Sequence, residues 1–269
     1  MTNEKKCKVL LLIGNKLWNW NTVVTFKKSQ LNIVGVCVYD NSFFGLPINL
    51  IWKSIKKRGI LVVIDQIFGR ILYKIINLFS DKERLEKIFD INECNNIKNN
   101  IDKPVYFTKT YNNQNTLDWI LKLNPDVIVV HSDGWVGKSI RNIPTLKLII
   151  GGHPGITPVY RGAHSSFWAI YNQEKDKIGY SIFHVDDGVD TGDLIFQDQL
   201  NILENESYMS ISWRGMKEIS KKQVELLEKY EKEKEIIKKK HDKITKESEY
   251  PVPGLTHYIR YLRIQKNVR

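Results

Sequence analysis

Residues 8–39 read KVLLLIGNKLWNWNTVVTFKKSQLNIVGVCVY. Residues 8–13 make a short apolar run closed by Gly14, the pattern of a buried strand. Residues 32–39 carry Ile33, Val34, Val36 and Val38 and read as a second strand. Between them, residues 22–30 fit a short crossover helix. A strand, a helix and a second strand in that order imply a parallel sheet, so the fold class is α/β. Gly14 stands alone and does not open a G-x-G-x-x-G fingerprint, which argues against a nicotinamide cofactor.

Working outward, the same rhythm continues. Residues 105–107 read as a short strand and 117–123 as a helix that ends near Pro125. Residues 126–130 (Asp-Val-Ile-Val-Val) are a buried strand followed by the loop His131-Ser132-Asp133-Gly134-Trp135. Residues 146–150 form another, opening onto Gly151 and Gly152, and 177–185 alternate well enough for one more. The Asn-rich stretch 94–103 reads as a loop. Ligands of open α/β sheets bind beyond the carboxyl ends of strands. The loops after Val130, Ile150 and Val185 are therefore the places for a site.

Two helices stand apart from this pattern. Residues 60–79 place apolar side chains at helical spacing without a gap, below the basic group Lys53, Lys56, Lys57 and Arg58. This predicts a helix packed on the sheet or on a sister subunit; the alternative is a segment resting on a membrane surface. Residues 216–246 predict a charged helix with pairs Glu218–Lys222, Glu225–Lys229, Glu228–Lys232 and Glu235–Lys239. Pro251 and Pro253 end it before a basic, aromatic tail. The division expected is a catalytic domain over 1–215, with a helical insertion at about 47–89, and a helical C-terminal extension over 216–269.

Composition sets outer limits. The 269 residues are 42% hydrophobic and 26% charged, ample for a sizeable core. No run is long and uncharged enough to span a bilayer, and no secretory signal is visible. Cys7, Cys37 and Cys94 are odd in number and lack metal spacing, so they read as reduced thiols of a cytoplasmic protein. No zinc motif or other metal site is expected. The net charge of +11 comes from scattered lysines and carries little weight as a pointer to nucleic acid.

The chemistry concentrates in residues 151–193. One motif runs Gly151-Gly152-His153-Pro154-Gly155-Ile156-Thr157-Pro158-Val159-Tyr160-Arg161-Gly162. A second runs Val185-Asp186-Asp187-Gly188-Val189-Asp190-Thr191-Gly192-Asp193. Their content, order and separation resemble the folate-dependent formyltransferases, a family that includes methionyl-tRNA, phosphoribosylglycinamide and sugar N-formyltransferases. The resemblance covers roughly residues 105–200 and implies a Rossmann-like formyltransferase fold with a mainly parallel sheet.

That resemblance implies acyl transfer from 10-formyltetrahydrofolate to an amine. The attacking amine must lose a proton, and an imidazole is suited to accept it near neutral pH. His153 matches the family's catalytic histidine, and Asp190 its catalytic aspartate, which would orient the ring. The family's asparagine, two residues before the histidine, is replaced by Gly151. Loss of one such donor costs about 2.7–4 kcal/mol of transition-state stabilisation. Backbone N–H groups of Gly151 or Gly152, a water, or a side chain such as Asn172 or Ser132 would have to substitute.

By the same resemblance, the folate's pterin would lie against Ser132, Asp133, Gly134, Trp135 and Val136 on one side. Asp186 and Gly188 would close the other side. Thr157, Pro158, Tyr160, Arg161 and Gly162 would face the acceptor, with Arg161 either on a phosphate or holding its loop. Residues 166–172 read as a helix capped by Ser165, and His131 and His184 as structural. The expected activity is N-formyl transfer to an amine, with a nucleotide-linked amino sugar as acceptor. The alternatives are a methionyl-tRNA-type acceptor, or a weak folate- or nucleotide-sugar-binding homologue disabled at Gly151. A homodimer is the expected further partner.

Overall fold

The computed structural model describes residues 6–40, 55–56, 58–204, 206–241 and 243–266. Seven strands form one sheet: β1 (Lys8–Gly14), β2 (Asn32–Tyr39), β3 (Val105–Thr108), β4 (Val127–His131), β5 (Leu148–His153), β7 (Gly179–His184) and β8 (Leu194–Gln199). Their order is β3-β2-β1-β4-β5-β7-β8. Pairing is parallel through β5 and antiparallel for β5–β7 and β7–β8. A two-residue parallel pair joins β6 (Arg161–Gly162) to β9 (Glu249–Tyr250). The expected mainly parallel α/β sheet is what forms.

The central strands are buried on both faces, which explains their unbroken apolar composition. Alternation sends successive side chains to opposite layers. Val9, Leu11, Ile13, Val127, Val129, Leu148 and Ile150 pack with Trp20, Val23 and Phe26 of α1 (Leu17–Lys27). Leu10, Leu12, Ile128, Val130 and Ile149 face the opposite layer, with Ile120 of α4 (Gln114–Leu123) and Ile140 of α5 (Lys138–Arg141). Each fully buried Leu or Ile contributes about 1.5–3 kcal/mol relative to exposure.

The remaining helices correct several sequence expectations. The Asn-rich stretch expected as a loop is α3 (Ile91–Asn100): the Asp90 side chain accepts from Glu93 N, and Cys94 and Ile97 are buried. The crossover helix starts at Leu17, ahead of the expected residue 22. The segment at 60–79 extends as α2 (Ile60–Ile88), while residues 47–54 and 57 of the expected insertion lie outside the described residues. It packs through Gly69 on Gly254 and Leu255 and through Tyr73 on Tyr208 and Tyr258, not on the sheet.

The helix expected over 216–246 is α7 (Tyr208–Glu233). Its start is a capping box between Ser207 and Ser210, and Lys234 ends it in the left-handed conformation at φ 57°. The expected division at residue 215 thus falls inside this helix. Its ion pairs are Lys221–Glu218, Lys222–Glu225 and Lys229–Glu233, in place of the expected i,i+4 set. The tail folds back as α8 (Leu255–Lys266), whose Tyr258 and Tyr261 join Phe167 and Tyr208 in one aromatic cluster.

Candidate active site at the carboxyl end of β5

His153 is the last residue of β5 and is 6% exposed. Its Nδ1 lies 3.3 Å from Asp190 Oδ2, so the two motifs meet. The same carboxylate oxygen accepts the N–H of Gly162 at 3.0 Å. On the other side of the ring, Nε2 is 2.6 Å from Ser165 Oγ and 3.0 Å from the Tyr160 carbonyl. Each ring nitrogen therefore faces an oxygen acceptor, so a proton on either one finds a hydrogen bond. Asp190 sits at φ 53°, a left-handed conformation that Asp and Asn tolerate better than other side chains.

Ser165 was expected as a helix cap and is not one. The helix α6 (Ser165–Tyr171) begins there, its cap position is His164 at φ 56°, and no side chain caps it. The Ser165 hydroxyl turns instead to His153. Nothing in sequence spacing signalled that contact, because it depends on how the chain doubles back between residues 153 and 165.

The residues expected to face the acceptor form a scaffold. Arg161 is 3% exposed and donates to Val189 O, Thr245 O and Ser248 Oγ at 2.8, 2.7 and 3.1 Å. That guanidinium is spent on holding loops, leaving it unsuited to a phosphate. Tyr160 is fully buried, donates to Glu174 and stacks on Tyr250. Thr157 is buried, with its N–H on Ser181 Oγ, and is followed by a cis bond to Pro158. Asn172 donates to Tyr160 OH and Tyr250 OH, which commits it away from an oxyanion.

The glycines before His153 are not equivalent. Gly151 pairs with Val130 on one side and Phe183 on the other. Val185 N donates to Ile149 O, and hydrogen-bonded pairs alternate along an antiparallel ladder. The N–H of Gly151 is thereby directed to Phe183, whereas that of Gly152 is directed to Val130 of β4 in the parallel ladder. A Cβ on Gly151 would meet Phe183 Cε2 and Val185 Cγ2, each at 3.1 Å, whereas one on Gly152 would meet Ile219 Cγ2 at 2.2 Å.

The two loops expected to hold the donor are tied together by a residue absent from the sequence reading. Arg141 Nε donates to Val136 O at 3.0 Å, and its guanidinium pairs with Asp187. Asp186 accepts from Gly188 N and Thr191 Oγ1 at 2.9 and 2.7 Å, so it shapes its own turn. Ser132 Oγ likewise accepts from Gly134 N at 3.0 Å. Gly134 has no room for a side chain: a Cβ would lie 2.7 Å from Tyr111. Trp135 is 49% exposed beside buried Val136. Asp133 lies 3.8 Å from Lys16, across the point where the strand order reverses between β1 and β4.

Two other histidines stay outside this group. His131 is buried, its nitrogens are on Thr22 and Gln223, and burial pushes its pKa down to about 4. His184 is lowered by the same cause. Among the described residues no three His, Cys, Asp or Glu side chains gather for a metal ion. No described helix is long and apolar enough to cross a membrane.

A buried histidine–carboxylate pair thus stands at the end of a central strand, with a loop on either side. The chain belongs to the formyl transferase family, whose model matches residues 63–227. It is 42% identical over 110 residues to the methionyl-tRNA formyltransferase of Clostridioides difficile, covering 40% of this chain and 34% of that one. The chain thus spans about a third of that relative's length. Among solved structures it resembles a 4-N formyltransferase from Francisella tularensis at TM-score 0.54 and 16% identity, covering 96% of this chain and 87% of that one. It also resembles a sugar N-formyltransferase from a Shewanella species at TM-score 0.50 and 12% identity, with the same coverages.

Proposed function

We propose that this formyltransferase moves a formyl group from 10-formyltetrahydrofolate to the amine of a nucleotide-linked amino sugar, in the cytoplasm. The observation that carries the reading is the contact of His153 Nδ1 with Asp190 Oδ2, which unites the two motifs in one buried pair. The folate supplies the activated one-carbon unit. His153 takes the proton that the attacking amine must lose, and Ser165 and the Tyr160 carbonyl hold the ring from behind. Asp190 Oδ2 orients the ring. With Gly151 in place of an asparagine, a water takes the donor's place against the developing negative charge.

The chain's residues fit a flat heterocycle on the donor side. Arg141 clamps the loops 132–136 and 186–190 together, and Trp135 offers a half-exposed apolar wall. A small acceptor is supported by the tail, since residues 245–261 pack back on the scaffold through Arg161, Trp168 and Phe167. A second reading, a tRNA acceptor, is favoured by the name of the relative from Clostridioides difficile.

The test is mass spectrometry of the protein with 10-formyltetrahydrofolate and a panel of nucleotide-linked amino sugars, beside His153→Ala. A product heavier by one formyl group, absent with the variant, is expected. No product, together with formylation of methionyl-tRNA and a steep salt dependence of tRNA binding, would establish the second reading instead.

A further inference from the structure

The phosphates of a nucleotide carrier call for cations, and Arg161 is committed to its loops. Other cations stand next to His153. His164 precedes Ser165, whose hydroxyl lies 2.6 Å from His153 Nε2. The His164 ring is partly exposed and lies edge-on to Tyr208, with centroids 5.4 Å apart. Its nitrogens have no hydrogen-bond partner among the described residues. Burial, followed by the charges of Arg70 and Lys16, lowers its pKa to about 4. The ring is therefore neutral at pH 7 and still donates one N–H. Both charges that act on it are positive, and such a potential favours an anion.

Three elements bring these groups together. Arg70 is an exposed residue of α2, between Gly69, which packs on Gly254, and Tyr73, whose ring is 4.9 Å from that of Tyr208. It forms no ion pair among the described residues. Lys16 follows the carboxyl end of β1, at the reversal of strand order where ligands of open α/β sheets bind. Its ammonium lies 5.2 Å over the Trp18 ring and 3.8 Å from Asp133, a carboxylate 90% exposed and so a weak competitor. Trp18 packs at 5.8 Å on Trp213 of α7. Trp213 is 6% exposed, yet its indole N–H has no acceptor, although buried donors are nearly always paired. Helix α7 joins the two ends: Ser212, beside Trp213, lies 3.4 Å from Ser166, and Tyr208 carries the His164 ring. Tyr208 and Trp213 are about 7.5 Å apart along the helix axis. A single phosphate would reach one end of that span, whereas two linked phosphoryl groups reach both.

We propose that Arg70, Lys16, His164 and the Trp213 indole N–H form a subsite for the diphosphate of the acceptor's nucleotide carrier. This rests on the acceptor proposed above and gives helix α2 its part in binding: it supplies the cation that Arg161 does not. The subsite adjoins the His153–Asp190 pair through Ser165, so it anchors the carrier while the amine lies at the His153 ring.

Binding and transfer test this separately. Calorimetric titration of the full chain with UDP, dTDP and GDP is expected to show binding of at least one, displaced by inorganic pyrophosphate and much less by inorganic phosphate. Arg70→Ala and Lys16→Ala are each expected to raise Kd about tenfold to hundredfold. Their melting temperatures should not move, because both side chains are exposed. Lys74→Ala, one turn along α2 and also exposed, is expected to bind as wild type. In formyl transfer, Arg70→Ala should raise KM for the sugar nucleotide and leave kcat within about twofold. No binding of any nucleotide or of pyrophosphate, a Kd unmoved by both variants, or an equal loss in Lys74→Ala would overturn the subsite. So would displacement by inorganic phosphate as strong as by pyrophosphate, or tRNA binding weakened by Arg70→Ala while the nucleotides leave it unchanged. Nucleotide binding with the expected losses but no formylated product keeps the subsite and sinks the transfer reading. Formylated product with an unchanged KM in both variants does the reverse.

Discussion

At the scale of single residues, the His153–Asp190 pair is set by two short local geometries. β5 ends on His153, and the left-handed turn at Asp190 returns a carboxylate to its Nδ1. Asp190→Asn is expected to keep the turn, since asparagine tolerates that conformation, and to lower kcat about a hundredfold to ten-thousandfold. Single-turnover formyl transfer by the variant checks it, and near wild-type rates would remove Asp190 from the chemistry. Gly151→Asn restores the family amide, but its Cβ must displace Phe183 and Val185 by a few tenths of an ångström. The expected outcome is a rise in kcat together with a loss of about 1–3 kcal/mol in urea unfolding. An unchanged kcat would mean that another donor already serves the oxyanion. Both side chains of this pair were legible in sequence because each sits inside a short contiguous motif. Ser165 and Arg141 were not, because each acts across a fold of the backbone that no local pattern encodes.

At the scale of elements, the strands were read closely because a parallel sheet buried on both faces demands continuous apolar runs. Helix limits were read poorly where caps are unusual. Ser207 with Ser210 starts α7 earlier than its apolar stripe suggests, and α3 is a helix of asparagines held by only two buried side chains, Cys94 and Ile97. The docking of α2 rests on a missing side chain. A Cβ on Gly69 would stand 2.7 Å from the Gly254 carbonyl carbon and 2.8 Å from Leu255 N. Gly69→Ala removes no contact and improves helix propensity, yet it is expected to push α8 away. Hydrogen exchange of residues 255–266 would show it as faster exchange, while protection matching wild type would mean the backbone yields at little cost.

At the scale of the whole molecule, acid stability should report the buried histidine beneath the sheet. His131 titrates near 6.5 when unfolded and at about 4 when folded, so between those values the unfolded chain binds more protons. Stability is therefore full above about pH 6.5 and falls as pH drops toward 4, by about 3 kcal/mol for this group. His164, also lowered to about 4, acts in the same direction. Urea midpoints between pH 7.5 and 4.5 should show this loss, with a shallower slope in His131→Gln. An identical slope in that variant would exclude His131 as its source.

By itself the sequence determined the α/β class, the two chemical motifs and the apolar stripe of α2, since each is written in neighbouring residues through strand alternation, turn chemistry or helical period. Only the tertiary structure decided that Arg161 is a buried brace, that Ser165 belongs to His153, and that the α2 stripe faces outward. Those outcomes depend on which surfaces meet. The same arginine, serine or isoleucine obeys the same local rules whether it ends against another segment of the chain or in water.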